Sequence, residues 1–119
     1  MKLAVTAKGP EIDSEVDPRF GRAAYILVVD SETLEFEAID NSANVNAFQG
    51  AGIQAATSVC DKGAKVLLTG YCGPKAFQVI DAGGVKVVND VTGTVKEAVA
   101  LFNEGKMKYS DSANVDGHC

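Results

Sequence analysis

The apolar run at residues 23–29 constrains the fold more than any other stretch of this sequence. Seven consecutive apolar residues, with β-branched and aromatic members, are typical of a strand that is covered on both faces. The run directly follows residues 17–22 (DPRFGR), where Pro18 has a fixed φ and Gly21 tolerates a positive φ. The sequence therefore predicts a well-defined charged loop at the mouth of a core strand.

Two arginines, Arg19 and Arg22, belong to this loop. An arginine at such a position can lay its stem on apolar surface with its head in water, or it can hold an anion. Both roles are open from these residues alone.

The composition limits the possible classes of protein. A chain of 119 residues that is 46% hydrophobic can bury one core, so one domain is expected. The net charge of -5, without a continuous basic face, makes nucleic acid and an anionic membrane poor partner candidates. The sequence has no apolar run long enough for a signal peptide or a membrane span, so a cytoplasmic location is expected. Cys60, Cys72 and Cys119 lack metal-finger spacing and are expected to be free thiols.

Further apolar segments predict the other strands of the sheet. Residues 2–6 give a first strand, and residues 34–38 alternate in a way that indicates a hairpin partner for the strand at 23–29. Residues 65–69 and 85–88 are short buried runs bounded by turn residues.

Three segments carry apolar residues at helical spacing: residues 49–62, a helix that begins at Pro74, and a helix capped by Thr94 with Glu97 in a capping box. The predicted inward-facing residues are Ile53, Ala56, Thr57 and Cys60 in the first helix, Ala76, Phe77 and Ile80 in the second, and Val95, Ala98, Val99 and Phe102 in the third. The order β-β-β-α-β-α-β-α predicts a three-layer α/β domain on a mixed sheet. The domain is expected to cover residues 1–104, and residues 105–119 to form a flexible tail.

Ligands of such sheets bind beyond the carboxyl ends of the parallel strands, where residues 8–22, 41–52 and 70–74 are predicted to meet. Residues 49–52 (QGAG) open a helix with small side chains, which allows backbone amides to approach an anion or, alternatively, a close contact between helix and strand. Cys72, beside a predicted helix N-terminus, is either a ligand for a soft metal or a small half-buried residue. His118 and Cys119 lie in the predicted tail and make a poor metal site without a rigid scaffold.

Hydrolytic chemistry has little support, because the single histidine lies in the predicted tail and cannot activate a nucleophile on an ordered segment. Asp17, Asp30 and Asp40, near strand ends, would supply a magnesium site only if they gathered around one pocket. A metal-dependent nuclease or phosphatase is therefore an alternative that depends on their position.

Three motifs occur together in order: residues 17–23 (DPRFGRA), 50–53 (GAGI) and 70–74 (GYCGP). As a set they resemble the dinitrogenase iron-molybdenum cofactor biosynthesis family, over about residues 1–104. The resemblance implies a ribonuclease-H-like fold and the non-enzymatic binding, carriage or storage of a metal-sulfur cluster. A short chain without an added domain is most similar to the small stand-alone members that bind a molybdenum-copper-sulfide cluster. An iron-molybdenum-sulfur cluster or its precursor is the alternative cargo.

The resemblance implies a site on the three loops. Some members direct a histidine to the cluster, and the predicted ordered part of this chain has none, so the cluster is expected to be held largely non-covalently. A large polarisable anion needs hydrogen-bond donors, positive charge and apolar walls. The expected site residues are Arg19, Phe20, Arg22, Asn44, Phe48, Gln49, Gly50, Ala51, Gly52, Tyr71, Cys72 and Gly73, with Cys72 as an optional metal ligand.

Proteins that donate or accept the cluster are the expected partners. The competing interpretation is an interaction module that binds a protein partner through the same loops and holds no cluster.

Overall fold

A computed structural model of the protein describes residues 1–42 and 51–110. Its elements are β1 (Lys2–Ala7), β2 (Tyr25–Asp30), β3 (Phe36–Asp40), α1 (Ala51–Asp61), β4 (Val66–Leu68), α2 (Pro74–Ala82), β5 (Lys86–Val88) and α3 (Val95–Asn103). This order confirms the predicted sequence of strands and helices. None of the helices in the described ranges is long and apolar enough to cross a membrane.

The five strands form one mixed sheet in the order β3-β2-β1-β4-β5. The β1–β2 and β2–β3 pairs are antiparallel, whereas β4 pairs in parallel with both β1 and β5. The predicted antiparallel start, followed by parallel strands with helical connections, is therefore confirmed.

Each face of the sheet carries its own core, which gives the three predicted layers. Leu3 and Leu27 lie in one buried cluster with residues of α3, and Ala4 and Ile26 lie in the other with residues of α1 and α2. Successive residues of a strand point to opposite faces, so an apolar run can supply both cores. The mixed α/β architecture is thus confirmed, while the description of the fold as ribonuclease-H-like stays a prediction.

The strand β2 confirms the interpretation of the longest apolar run. Ile26, Leu27 and Val29 are fully buried, and β2 lies between β1 and β3. The regular strand begins at Tyr25, two residues later than the run itself. Its preceding residues belong to the loop that enters the sheet.

The inward face of α1 differs from the prediction. Ile53 is 41% exposed and Thr57 is also exposed, whereas Ala55, Ala56 and Val59 are buried. A shift of one residue rotates the buried face by about 100°. The buried residues lie in one core cluster with Ala76 and Ile80 of α2, and on the exposed face the Thr57 hydroxyl donates to the Ile53 carbonyl at 2.9 Å.

The other helices follow their predicted signals. Pro74 occupies the first turn of α2, and Ala76 and Ile80 are buried. Thr94 caps α3 in a complete capping box with Glu97, since each side chain bonds the backbone amide of the other residue. These ends are fixed by local interactions, which explains why the sequence revealed them.

The chain after α3 lies along the last strand as far as it is described. The Ser110 amide donates to the Val87 carbonyl at 2.7 Å, and Asn89 Nδ2 donates to Ser110 Oγ at 2.8 Å. Met107 packs against the core on the α3 side. The domain boundary at residue 104 and the mobility of the tail stay predictions, and His118 and Cys119 lie outside the described residues.

Candidate functional site

Several loops emerge at one edge of the sheet because of the strand directions. The parallel strands β1, β4 and β5 end at this edge, and β2 begins there, since Ala7 pairs with Tyr25. Strand β3 also ends there, with Asp40 opposite Tyr25. The connections after β1, β3, β4 and β5 are therefore brought to the same end of the domain.

Two of the predicted loops are joined directly. The Tyr71 amide donates to the Pro18 carbonyl at 2.8 Å, and the Phe20 amide donates to the Tyr71 carbonyl at 3.3 Å. These bonds surround a parallel bridge between Arg19 and Tyr71. A Cβ at Gly70 would lie 2.5 Å from Pro18 Cα. Only glycine allows this approach, so Gly70 sets the spacing of the two loops.

Asn41 connects the loop at residues 41–52 to the loop at residues 8–22. Its side chain is buried, and Nδ2 donates to the carbonyls of Gly21 at 3.2 Å and Ala23 at 2.8 Å. The Asn41 amide also donates to the Ala24 carbonyl at 2.9 Å. Asparagine often bonds to nearby backbone in loops, but no local signal in the sequence indicates a partner some twenty residues away.

Arg19 is held by a carboxylate from its own loop. Asp17 Oδ1 accepts from the Arg19 amide at 3.0 Å and from Nε at 3.2 Å, while Oδ2 accepts from Nη2 at 3.2 Å. The side chain of Asp17 is 2% exposed and that of Arg19 is 52% exposed. The hydrogen bond to Asp17, and then the charge of that carboxylate, raise the pKa of Arg19. The guanidinium is therefore a fixed, permanently charged group at the rim of the loops.

Two buried threonines, Thr6 and Thr69, form a hydrogen-bonded pair, and Thr6 holds the backbone of Asp17. Thr6 Oγ1 donates to the Asp17 carbonyl at 2.6 Å, and the Asp17 amide donates to the Thr6 carbonyl at 2.9 Å. Because the Thr6 proton is used in this way, the Thr69 hydroxyl is the donor in the 2.8 Å contact between the two hydroxyls. Thr6 and Thr69 were missed as supports of the loop, since strand threonines carry no sequence signal for such a pairing.

Some of the predicted site residues are partly exposed to solvent, and others are buried. Tyr71 and Arg22 are partly exposed, as is Gly52 in the first turn of α1, whereas Ala51 and Gly73 are buried. Phe20 and Cys72 are fully buried in the core that also holds Ile26, and Cys72 Sγ contacts the Gly73 carbonyl at 3.7 Å. Direct contact of Phe20 or Cys72 with a ligand stays a prediction that requires this core to open. The predictions for Asn44, Phe48, Gln49 and Gly50 lie outside the described residues.

The N-terminus of α2 adds backbone donors at the same edge. Gly73 is its N-cap in an extended conformation, and no side chain caps the helix. Pro74 has no N–H, so the first-turn donors at this end are the amides of Lys75 and Ala76, and these donors and the helix dipole favour an anion. The helix begins three residues after Tyr71, which places these donors close to the joined loops.

The three carboxylates of the predicted magnesium site do not gather in one place. Asp30 pairs with Lys2 at one end of β2, and Asp40 pairs with Tyr25 at the other end, about 17 Å away along the strand. Asp30 accepts hydrogen bonds from the amides of Thr33 and Glu32, which lower its pKa, and Asp17 is occupied by Arg19. The nuclease or phosphatase hypothesis therefore loses the site on which it depended.

The described part of the site contains hydrogen-bond donors rather than a group of metal-ligating side chains. Within residues 1–42 and 51–110, no three His, Cys, Asp or Glu side chains are grouped to hold a metal. The site does offer a guanidinium paired with Asp17, a tyrosine and first-turn amides of α2, which are hydrogen-bond donors and an aromatic wall of the kind that suits a large anion.

A cavity of about 430 Å³ lies near this edge, between the end of β5 and the segment that follows α3. Asn89, Lys106 and Tyr109 are among its lining residues, and none of the predicted site residues that the structure describes lines it. Its wall at Asp90 touches the site loops, because the Asp90 amide donates to the Gly70 carbonyl at 2.7 Å.

Comparisons with known proteins identify the family of this chain and structures with the same fold. The sequence model of the family described as dinitrogenase iron-molybdenum cofactor matches residues 1–105. An uncharacterised protein of Methanocaldococcus jannaschii is 31% identical over 111 residues, which cover 91% of this chain and 90% of that protein. The orange protein of Desulfovibrio gigas, solved in its apo form, superposes with a TM-score of 0.92 at 49% identity over 96% of each chain. A putative NifB protein from Thermotoga gives a TM-score of 0.83 at 32% identity over 98% of each chain.

Proposed function

This chain belongs to the dinitrogenase iron-molybdenum cofactor family, and from that premise we propose that it binds and carries a molybdenum-containing metal-sulfur cluster. The cluster is cargo: the protein holds a preassembled anion, shields it from water and hands it to another protein. In this proposal the chain makes and breaks no bonds of the cluster and is not an enzyme.

The observation that carries the proposal is the fixed guanidinium of Arg19 at the rim of two interlocked loops. Asp17 holds it by two hydrogen bonds, from Nε and Nη2 to the carboxylate, and the Arg19–Tyr71 bridge brings an aromatic residue and the N-terminus of α2 beside it. A thiomolybdate-type cluster is a large, polarisable anion, which is attracted by a weakly hydrated guanidinium and by backbone amides.

We propose a molybdenum-copper-sulfide cluster as the cargo, with an iron-molybdenum-sulfur cluster or its precursor as the alternative. The 49% identity to the orange protein supports the first, and the family match is compatible with both. Holding is largely non-covalent in this proposal, because Cys72, the expected soft ligand, is buried in the core. Donor and acceptor proteins of the cytoplasm would be the partners.

The test is cluster retention by protein isolated without an affinity tag, since tags bind metal themselves. Tetrathiomolybdate and copper are added, the protein is passed through gel filtration, and its visible spectrum and its content of molybdenum, copper and sulfur are measured. Visible bands with stoichiometric metal are expected to stay with the wild-type protein.

Two double variants distinguish cluster binding at the site from non-specific electrostatic attraction to the protein. Arg19→Ala with Arg22→Ala is expected to weaken retention at least tenfold, because the loop loses two guanidiniums and their charge-assisted hydrogen-bond donors. Lys65→Ala with Lys86→Ala removes the same charge at the opposite edge of the sheet and is expected to leave retention unchanged. Equal losses in both variants would show non-specific attraction. A wild-type protein that stays colourless would refute the carrier function, and isolation of a protein partner would then test the interaction module.

A further inference from the structure

The Asp17–Arg19 ion pair places a buried negative charge directly behind the positive group of the candidate site. We infer that Asp17 is a specificity residue: by neutralising Arg19 it makes the site accept soft, sulfide-rich anions and reject hard oxoanions of the same charge. This inference rests on the proposed function, because it concerns which anions the carrier site admits.

Asp17 compensates the charge of the Arg19 guanidinium but accepts only some of its N–H groups. Asp17 occupies one N–H of Nε and one of Nη2, as well as the Arg19 backbone amide. A guanidinium has five N–H groups, so three are not used by Asp17. The pair can therefore still donate hydrogen bonds to an anion, but it offers that anion little net charge.

The carboxylate cannot move away when an anion arrives. Both backbone polar groups of Asp17 are bonded to Thr6, and its side chain is almost completely buried. Its Oδ1 also closes a turn by accepting from the amide two residues further on, at Arg19. The negative charge is thus a fixed part of the loop.

Neutralisation acts differently on the two kinds of anion. A small oxoanion is strongly hydrated, and leaving water costs free energy that only a large net positive charge offsets. A sulfide-coated anion is larger, more polarisable and less hydrated. It gains more from dispersion contacts with the flat guanidinium and the ring of Tyr71. A neutral donor pair therefore favours the sulfide anion.

Tetrathiomolybdate and molybdate are suitable probes because both are tetrahedral dianions, with four sulfur atoms around molybdenum in the first and four oxygen atoms in the second. Their dissociation constants are measured at fixed ionic strength by equilibrium dialysis with molybdenum analysis, for the wild type and for Asp17→Asn. Wild-type protein is expected to prefer tetrathiomolybdate. In Asp17→Asn the preference is expected to fall roughly tenfold, because molybdate binding rises when one compensating charge is removed near the anion.

Two further variants exclude a merely structural effect. Asp17→Ser keeps an oxygen for the Arg19 amide and removes the charge, so it is expected to lose preference as Asp17→Asn does, and it serves if that variant does not fold. Asp17→Asn with Arg19→Gln restores a neutral pair and is expected to reject molybdate again. Thermal unfolding of each variant confirms that folded protein is compared.

The outcomes distinguish the inference from the proposed function. If wild-type protein binds no tetrathiomolybdate, the carrier function fails and this inference fails with it. If it binds tetrathiomolybdate but the preference is the same after Asp17→Asn or Asp17→Ser, the carrier function stands and Asp17 is not a specificity residue. Rejection of molybdate by the single variants would likewise overturn the inference.

Discussion

Replacing Gly70 by alanine tests whether the contact of the two loops holds the site together. The new Cβ would lie 2.5 Å from both Pro18 Cα and Pro18 Cβ and 2.7 Å from the Pro18 carbonyl oxygen. Two of these atoms are backbone, so no side-chain rotation relieves the clash. The loops must separate, and the bonds from Tyr71 N to Pro18 O and from Phe20 N to Tyr71 O would lengthen or break.

The expected loss of stability follows from these contacts. Overpacking of a buried position costs about 1–3 kcal/mol, and each lost backbone hydrogen bond costs about 1 kcal/mol. Together these give a decrease of about 3–5 kcal/mol in the free energy of unfolding. For a chain of 119 residues this corresponds to a fall of about 12–20 °C in Tm. Urea unfolding and calorimetry measure both quantities.

Gly9→Ala is the matched control. Its Cβ would come within 2.7 Å only of Ser14 Oγ, at the end of a side chain that can rotate. We expect a change of less than about 1 kcal/mol in the free energy of unfolding. Gly70→Ala is also expected to weaken tetrathiomolybdate retention well below its Tm, and Gly9→Ala to leave it unchanged. A Gly70→Ala protein as stable as the control would refute the steric argument.

Three further predictions concern the rest of the domain. Thr6→Val leaves the Asp17 carbonyl and the Thr69 hydroxyl without their partner, so it is expected to cost about 1–3 kcal/mol in urea unfolding; a neutral result would show that the hydroxyl pair is dispensable. Hydrogen bonds from Thr94 lower the pKa of Glu97, so its contribution to stability is present above the unfolded carboxyl pKa and is lost as the pH falls through the lower folded pKa. The stability difference between wild type and Glu97→Gln is thus expected to shrink on acidification below pH ~4, and a difference that grows instead would contradict the capping box. Ile53→Gln, at an exposed position of α1, is expected to change the free energy of unfolding by less than about 1 kcal/mol, and a larger loss would mean that this side chain is buried after all.

The sequence was most informative where structure depends on neighbouring residues. The strand β2 was readable from its unbroken apolar run, and the ends of α2 and α3 from Pro74 and from the pair Thr94 and Glu97. The inward face of α1 was not readable, because alanine is compatible with either side of a helix. The face of α1 that is buried depends on how the sheet and α2 pack around it, and this packing exists only in the folded domain.

The candidate site was also predictable only in part from the sequence. Motif order predicted which loops carry it, and the strand directions bring those loops together at one edge. The sequence placed Phe20 and Cys72 among the ligand contacts, but the structure buries both in the core. An aromatic ring or a thiol in a loop motif can face a ligand or the core equally well, because residue type does not fix the direction of a side chain.

The sequence by itself determined the order of strands and helices, the loops at the carboxyl edge and the residues that bond to their own neighbours. Only the tertiary structure decided that Thr6 and Thr69 support Asp17 and that Gly70 meets Pro18. The physical reason is distance along the chain. A hydrogen bond between residues 6 and 69 exists only after β1 and β4 have paired, and no local preference of either threonine encodes it.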